Sequence, residues 1–207
     1  MRGVLVSIEG IDGAGKDTQA KLVEGRLRID GFTTFAHSYP DYASRYGKII
    51  REYLNKEVEM ESDELFFLQM LDKQKDRKII EQELNSGGVL LMDRYLHSQI
   101  AYQSAGGFDY EKSKSIISLS GMPIPDLLVY IDIPTETARE RKLVQRGGLD
   151  RYESSMDYLE RVRGVYETLY RERFGASEWL KIDGLEERGK ICETIYMRIK
   201  ELNKLGD

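Results

Sequence analysis

The apolar residues of this chain fall into two rhythms. Five short runs read as strands: residues 4–9, 89–92, 127–133 and 179–182 are largely apolar, and 33–39 is the weaker fifth. Unbroken apolar runs of this length predict strands buried on both faces. Between them apolar residues step by three and four. Ala20, Val23 and Leu27 predict a helix over 19–30, closed by Gly31. Leu159, Val162, Tyr166 and Leu169 predict another over 156–174, and Ile191, Ile195, Ile199 and Leu202 mark a closing helix. Shorter helices are expected at 46–54, 97–104, 110–119 and 135–145. One long helix, N-capped at Ser62, is expected to run to Leu84 and to break at Gly87-Gly88. Strand followed by helix, repeated, predicts an α/β fold: a five-stranded parallel sheet flanked by helices on both faces, in one domain spanning 1–207.

Composition narrows the choice of function. A net charge of −5 argues against a broad electrostatic grip on DNA or RNA, so no nucleic-acid polymer is expected as partner. A small anion would need locally placed cations instead. Cys192 is the only cysteine, which excludes an intrachain disulfide and a cysteine-based zinc site, and two histidines exclude a histidine-rich one. The opening residues lead straight into the first strand without signal-peptide anatomy, and no apolar run reaches membrane-spanning length. A cytoplasmic protein without a membrane partner is the expectation.

The strongest chemical signal is GIDGAGKDT, directly after the first strand. Gly10, Gly15 and Lys16 fit G-x-x-x-x-G-K-[ST], a loop whose backbone N–H groups cradle phosphates between a strand and a helix. Glycines admit the anion close to the backbone, the helix N-terminus adds its dipole, and Lys16 adds a full charge. Gly10, Ile11, Asp12, Gly13, Ala14, Gly15, Lys16, Asp17 and Thr18 are therefore expected to hold a nucleoside triphosphate. Asp17 stands where a Ser or Thr normally offers a hydroxyl to Mg²⁺.

In a parallel sheet, ligands sit beyond the C-terminal strand ends. Asp93 and Arg94 end the third strand there. Asp93 suits Mg²⁺, directly or through water, and Arg94 suits a phosphate. Arg139, Arg141, Arg146 and Arg151 crowd one region. Arg139 is expected on a solvated helix face. Arg146 and Arg151 flank Gly147-Gly148, as in a mobile lid (about 142–153) that closes on a triphosphate, with Asp150 and Glu153 nearby. Tyr39, Tyr42, Tyr95 and Tyr102 gather at the same edge, suited to a base or a sugar.

With these pieces in place, the chain resembles the thymidylate kinases, of the P-loop nucleoside monophosphate kinase group. The resemblance rests on IEGIDGAGKDTQ, YPDYASRYGKIIREYL, DRYLHSQIAYQ, PDLLVYIDIPTETARER and DRYE, and so covers most of the chain. It implies a P-loop NTPase fold with an arginine-bearing lid, ATP and Mg²⁺ as cofactors, dTMP as substrate, dTDP as product on the way to dTTP, and a homodimer. It also implies residue roles. Asp12 lies near the deoxyribose 3′-hydroxyl and Mg²⁺, which with Asp93 makes it a metal candidate. Tyr39 and Tyr42 line the dTMP site, Arg94 holds the dTMP phosphate, Gln99 reads the thymine edge, and Tyr102 lies beneath the sugar and disfavours a 2′-hydroxyl.

Departures from the family accompany the likeness. Some members carry an arginine where this chain has Gly13, which transfers the transition-state role to Arg146 and Arg151. After Pro40 the usual arginine is missing, and Arg45 is the nearest cation. The family's base-stacking Phe and base-reading Arg have several counterparts in LFFLQMLDKQKDR: Phe66, Phe67, Gln69, Lys73 and Arg77, with Gln69 and Lys73 taken as substrate-binding. Lys16, Arg94, Arg146 and Arg151 are the expected catalytic set. Alternatives are another nucleoside monophosphate or deoxynucleoside kinase of the same fold, or a nucleotide-binding regulator without catalysis.

Overall fold

The structure is a computed structural model that describes residues 2–146, 151–152 and 155–204, with the side chains of Arg146 and Lys204 outside that description. Five strands form one parallel sheet: β1 (Val4–Glu9), β2 (Thr34–Ser38), β3 (Val89–Asp93), β4 (Leu127–Asp132) and β5 (Glu178–Asp183). Their order is β2-β3-β1-β4-β5. The all-buried pattern of β1 is the consequence of its central place, whereas β2, at the edge, is only partly covered.

The helices are α1 (Lys16–Ile29), α2 (Arg45–Leu54), α3 (Ser62–Gln74), α4 (Arg77–Asn85), α5 (Leu96–Ala105), α6 (Tyr110–Leu119), α7 (Thr135–Arg146), α8 (Met156–Glu172) and α9 (Arg188–Lys204). α1 packs on β1, β2 and β3 and against α9, while α8 packs on β4 and against α5. β3 and β4 lie on opposite sides of β1, so the chain's direction of travel through the sheet reverses there, and a crevice opens beyond the C-terminal end of β1. Ile8 pairs with Asp93, and Asp93 with Ser38, which sets the ends of three strands side by side.

One expected element is corrected. The long helix 62–84 is two helices, broken at Lys75 and Asp76. No glycine or proline causes the break. Lys75 Nζ turns onto the carboxylates of Asp76 (2.5 Å) and Asp41 (3.1 Å), and Asp76 accepts the Tyr39 hydroxyl at 3.0 Å. Contacts with a distant segment thus outweigh the helical ladder. The cap also shifts by one: Glu61 is the N-cap, in a reciprocal box with Glu64, and Ser62 instead donates to the Gly106 carbonyl at 2.7 Å. Part of the expected lid lies outside the described residues, including Gly147, Gly148, Asp150 and Glu153. Its first part, residues 142–146, continues α7.

Candidate active site

β1 delivers the glycine loop to the crevice. Gly10 adopts φ +144°, and a Cβ there would meet the Ile131 carbonyl oxygen at 2.4 Å. Gly15 is the N-cap of α1 in the left-handed region (φ 94°) and supplies no side-chain cap, leaving the first N–H groups of α1 to an incoming anion. Lys16 is nearly buried, and its ammonium donates to the Ile11 carbonyl at 2.9 Å. Burial first, and the neighbouring Arg94 second, bring its pKa down to about 8. A polyanion at the loop would relieve both.

Arg94 is the hub. It has φ 66°, an uncommon conformation for a residue with a side chain. Its backbone N–H still bonds Ile8 O (3.1 Å), so the turn begins at the end of the sheet and directs the side chain back toward the loop. The guanidinium donates to Asp12 Oδ1 (2.6 Å), Ser98 Oγ (3.2 Å) and the Tyr102 hydroxyl (3.2 Å). Tyr102 in turn donates to Asp12 Oδ2 at 2.8 Å. Burial would raise the Asp12 carboxyl, but Arg94, then Lys16 and Lys142, outweigh it and hold that carboxyl well below the usual range.

Two hollows meet here. One runs along the glycine loop and is lined by Gly13, Ala14, Gly15, Lys16, Asp17 and Thr18, with Asp93, Arg141, Lys142 and Arg188 opposite. The other is lined by Gln69, Lys73, Ser98, Gln99, Tyr102 and Tyr152. Asp12, Tyr39, Pro40 and Arg94 line both. Among the aromatic candidates, Tyr39 and Tyr102 reach the second hollow. Tyr42 lies on the loop side, its ring under the Arg51 guanidinium, and Tyr95 is fully buried beside Tyr39.

The structure sorts the α3 candidates. Gln69 and Lys73 face the second hollow. Phe66 is in the core against Phe108, Phe67 is half exposed, and Arg77 pairs with Glu81. Lys73 is buried, with Nζ 3.3 Å from Gln69 O and 5.5 Å from the Tyr39 ring centre. Burial brings its pKa down to about 8 despite Asp72 and Glu9. Gln99 donates to Phe66 O at 2.8 Å, and its buried Oε1 has no partner among the described residues.

Of the two lid arginines only Arg151 has a described side chain, and it is not among the residues lining the glycine loop. Arg151 binds Glu59 through two nitrogens (both 2.8 Å) and Tyr53 O (2.9 Å), and it lines neither hollow. The Arg146 side chain lies outside the described residues. Arg45 stays at the surface on the Tyr46 hydroxyl. Arg141, grouped with the lid arginines in the sequence, instead bridges Gly13 O (3.3 Å) and Gly184 O (3.1 Å).

As a test of metal fit, Asp93 Oδ1 is buried without a partner among the described residues, in the loop-side hollow, and burial raises its pKa. That is the condition of a carboxylate suited to a cation. Asp12 has both oxygens engaged, and Asp17 pairs with Lys21 at 2.7 Å. No group of three or more acidic, histidine or cysteine ligands occurs among the described residues. The site thus fits a metal held by Asp93 together with phosphate oxygens and water.

Sequence reasoning missed Glu9. This buried carboxylate accepts from Tyr95 N–H (2.8 Å), Ser7 Oγ (2.8 Å), the Tyr166 hydroxyl (3.0 Å) and Ser98 Oγ. Ser98 also accepts from Arg94, so Glu9 anchors the shelf on which Arg94 rests. A glutamate ending an otherwise apolar central strand was the available signal. Lys142 was missed as well, because its α7 position has meaning only once the helix is docked.

Comparison with known proteins agrees with this geometry. Residues 8–201 match the family model described as Thymidylate kinase. The chain is 32% identical over 206 residues to the thymidylate kinase of Arabidopsis thaliana, covering 97% of this chain and 73% of that protein. It is equally identical, over 97% of this chain and 95% of the relative, to the thymidylate kinase of Brachyspira hyodysenteriae. The solved structure of thymidylate kinase from Candida albicans superimposes with a TM-score of 0.78 at 25% identity, over 98% of this chain and 93% of that one. A phosphate loop facing an arginine-bearing strand end, on a P-loop NTPase sheet matched over its length, places this chain in the thymidylate kinase family.

Proposed function

We propose that the chain transfers the γ-phosphoryl group of ATP to dTMP, giving ADP and dTDP, a step toward dTTP. Family membership supports the reaction. The observation that carries its mapping is that Arg94 and Asp12 line both hollows, so two nucleotides can meet phosphate to phosphate. The glycine loop and Lys16 take the ATP phosphates. Arg94 takes the dTMP phosphate, Tyr102 closes on the sugar, and Gln99 and Lys73 meet the base edge with Gln69 beside them. Tyr39 forms a wall and Tyr42 stands at the mouth. The acceptor oxygen is already anionic, so alignment and charge neutralisation do the work and no protein base is required. Asp93 would hold Mg²⁺, which when bound would supply charge neutralisation at the phosphates. Arg146 and Arg151 belong to the lid, and Arg151 would have to leave Glu59 to reach the phosphates.

The test is a panel of acceptors with ATP and Mg²⁺: dTMP, dUMP, dCMP, AMP, thymidine and deoxycytidine. The highest kcat/KM is expected for dTMP. Preference for a nucleoside would move the chain to the deoxynucleoside kinases, and no transfer at all would leave a nucleotide-binding regulator. A homodimer would cover Phe67 and Leu71, four residues apart on α3 and 47% and 48% exposed, and sedimentation of the purified protein tests it. No described helix is long and apolar enough to cross a membrane, and a cytoplasmic location accords with that, to be checked by fractionation.

A further inference from the structure

α7 reaches the phosphate loop because residue 13 has no side chain. Gly13 sits at φ +85°, and a Cβ there would meet the Ala138 carbonyl oxygen at 2.5 Å. Three and four residues beyond Ala138, the same helix face carries Arg141 and Lys142. They diverge. Arg141 clamps the carbonyls of Gly13 and Gly184. Lys142 turns toward Asp12, with its ammonium 3.8 Å from Oδ1 and its side chain only 10% exposed. That is an ion-pair distance but too long for a direct hydrogen bond. Asp12 is already held at 2.6 Å by Arg94 and at 2.8 Å by Tyr102. Lys142 lines the loop-side hollow together with Lys16 and Arg94. Three cations, with the Asp12 carboxylate among them, thus gather beside the glycine loop, a setting suited to the oxygens of a polyanion.

We infer that Lys142 is a catalytic cation of this chain, donating to the phosphoryl group in transit. The inference rests on the proposed kinase reading and gives the transition-state charge to α7. In the step, the bond from the γ-phosphorus to the β,γ-bridging oxygen breaks and its electron pair leaves on ADP. A lone pair of the dTMP phosphate oxygen forms the new bond to phosphorus. No proton changes hands. The three non-bridging oxygens carry the charge throughout, and the Lys142 ammonium accelerates transfer by binding them more tightly in the transition state than in ATP.

The experiment compares the parent with Lys142→Met and Lys142→Arg. Turnover is read with the acceptor the parent uses best in the panel, so inactivity toward dTMP would strike the proposed reaction and not this ratio. Lys142→Met should lower kcat about 10²-fold or more, leave both KM values within about threefold, and keep the parent's melting temperature. Lys142→Arg should recover most of the loss. Calorimetry adds a readout of the transition state. Aluminium fluoride should tighten ADP binding in the presence of the acceptor for the parent and the arginine variant, and not for the methionine variant. Turnover of Lys142→Met within threefold of the parent overturns the inference. So does a loss shared equally by kcat and by ADP and acceptor binding, the mark of a purely structural ion pair.

Discussion

The two hollows that meet at Arg94 are built by opposite strategies. The donor side centres on one continuous stretch, residues 10–18, which offers main-chain N–H groups at the start of a helix, with Asp93, Arg141, Lys142 and Arg188 facing it. The acceptor side is assembled from side chains of β2's end, α2, α3, β3's end and α5, spread from Tyr39 to Tyr102, with Asp12 and Tyr152 from further away. A backbone cradle depends on a short pattern of glycines and tolerates change at its remaining positions. A side-chain pocket depends on each contributor and on whatever holds it. Substitutions should therefore cost most where the two meet and least within the loop's exposed flank.

Arg94→Ala should have the largest effect. It removes the phosphate fork and leaves Asp12 without its closest cation, and kcat/KM for dTMP should fall about 10³-fold while ATP affinity, measured by calorimetry, changes far less. Equal losses for both nucleotides would dissolve the division between the hollows. Glu9→Gln comes next. The amide cannot accept as many bonds from Tyr95, Ser7, Tyr166 and Ser98, so Arg94 loses its shelf. Charge-assisted hydrogen bonds contribute about 1.5–3 kcal/mol each, so a loss of about 10- to 100-fold in kcat/KM for dTMP is expected, with a lower melting temperature.

Lys73 sharpens the comparison through pH. Its pKa near 8 means that the ammonium is present at pH 7 and mostly lost at pH 9. With ATP saturating, so that Lys16 is covered by phosphates, kcat/KM for dTMP should fall as pH rises through about 8, approaching tenfold per unit above it. Lys73→Arg should abolish this limb, because a guanidinium stays protonated. A limb that persists in the variant would assign it to another group. The smallest effect belongs to Asp17→Ser. Asp17 is largely exposed and paired with Lys21, and a serine restores the usual hydroxyl, so kcat should stay within about threefold or rise. A severe loss would show that Asp17 itself carries a metal or structural role.

The donor side was legible in the sequence because its chemistry is local. The glycines, Lys16 and the apolar strand before them occupy neighbouring positions, and the loop's conformation follows from residues that lack a Cβ. Asp93 and Arg94 were legible for a related reason: a charged pair ending an apolar strand of a parallel sheet has one place to go. Less was legible on the acceptor side. The periodicity of residues 62–84 gave no sign of the break at Lys75 and Asp76, since that break is made by Asp41 and Tyr39, more than thirty positions away. Nor could it choose among Phe66, Phe67, Gln69 and Lys73, which differ in which side of α3 meets α5, or place Arg77 on a separate helix. Spacing marks Arg151 as a lid residue, and only the structure shows it bound to Glu59 and to the Tyr53 carbonyl of α2.

Sequence alone determined what short-range physics controls: five strands, most of the helices between them, the phosphate loop, and a cationic strand end. It also carried the family likeness, because the motifs are contiguous. Tertiary structure alone decided which distant side chains share a hollow, that Glu9 supports Arg94 through Ser98, and that α7 settles on Gly13 and brings Lys142 to Asp12. Those outcomes depend on packing distances of a few ångströms between segments far apart along the chain, and the linear order of residues does not encode them in any local pattern.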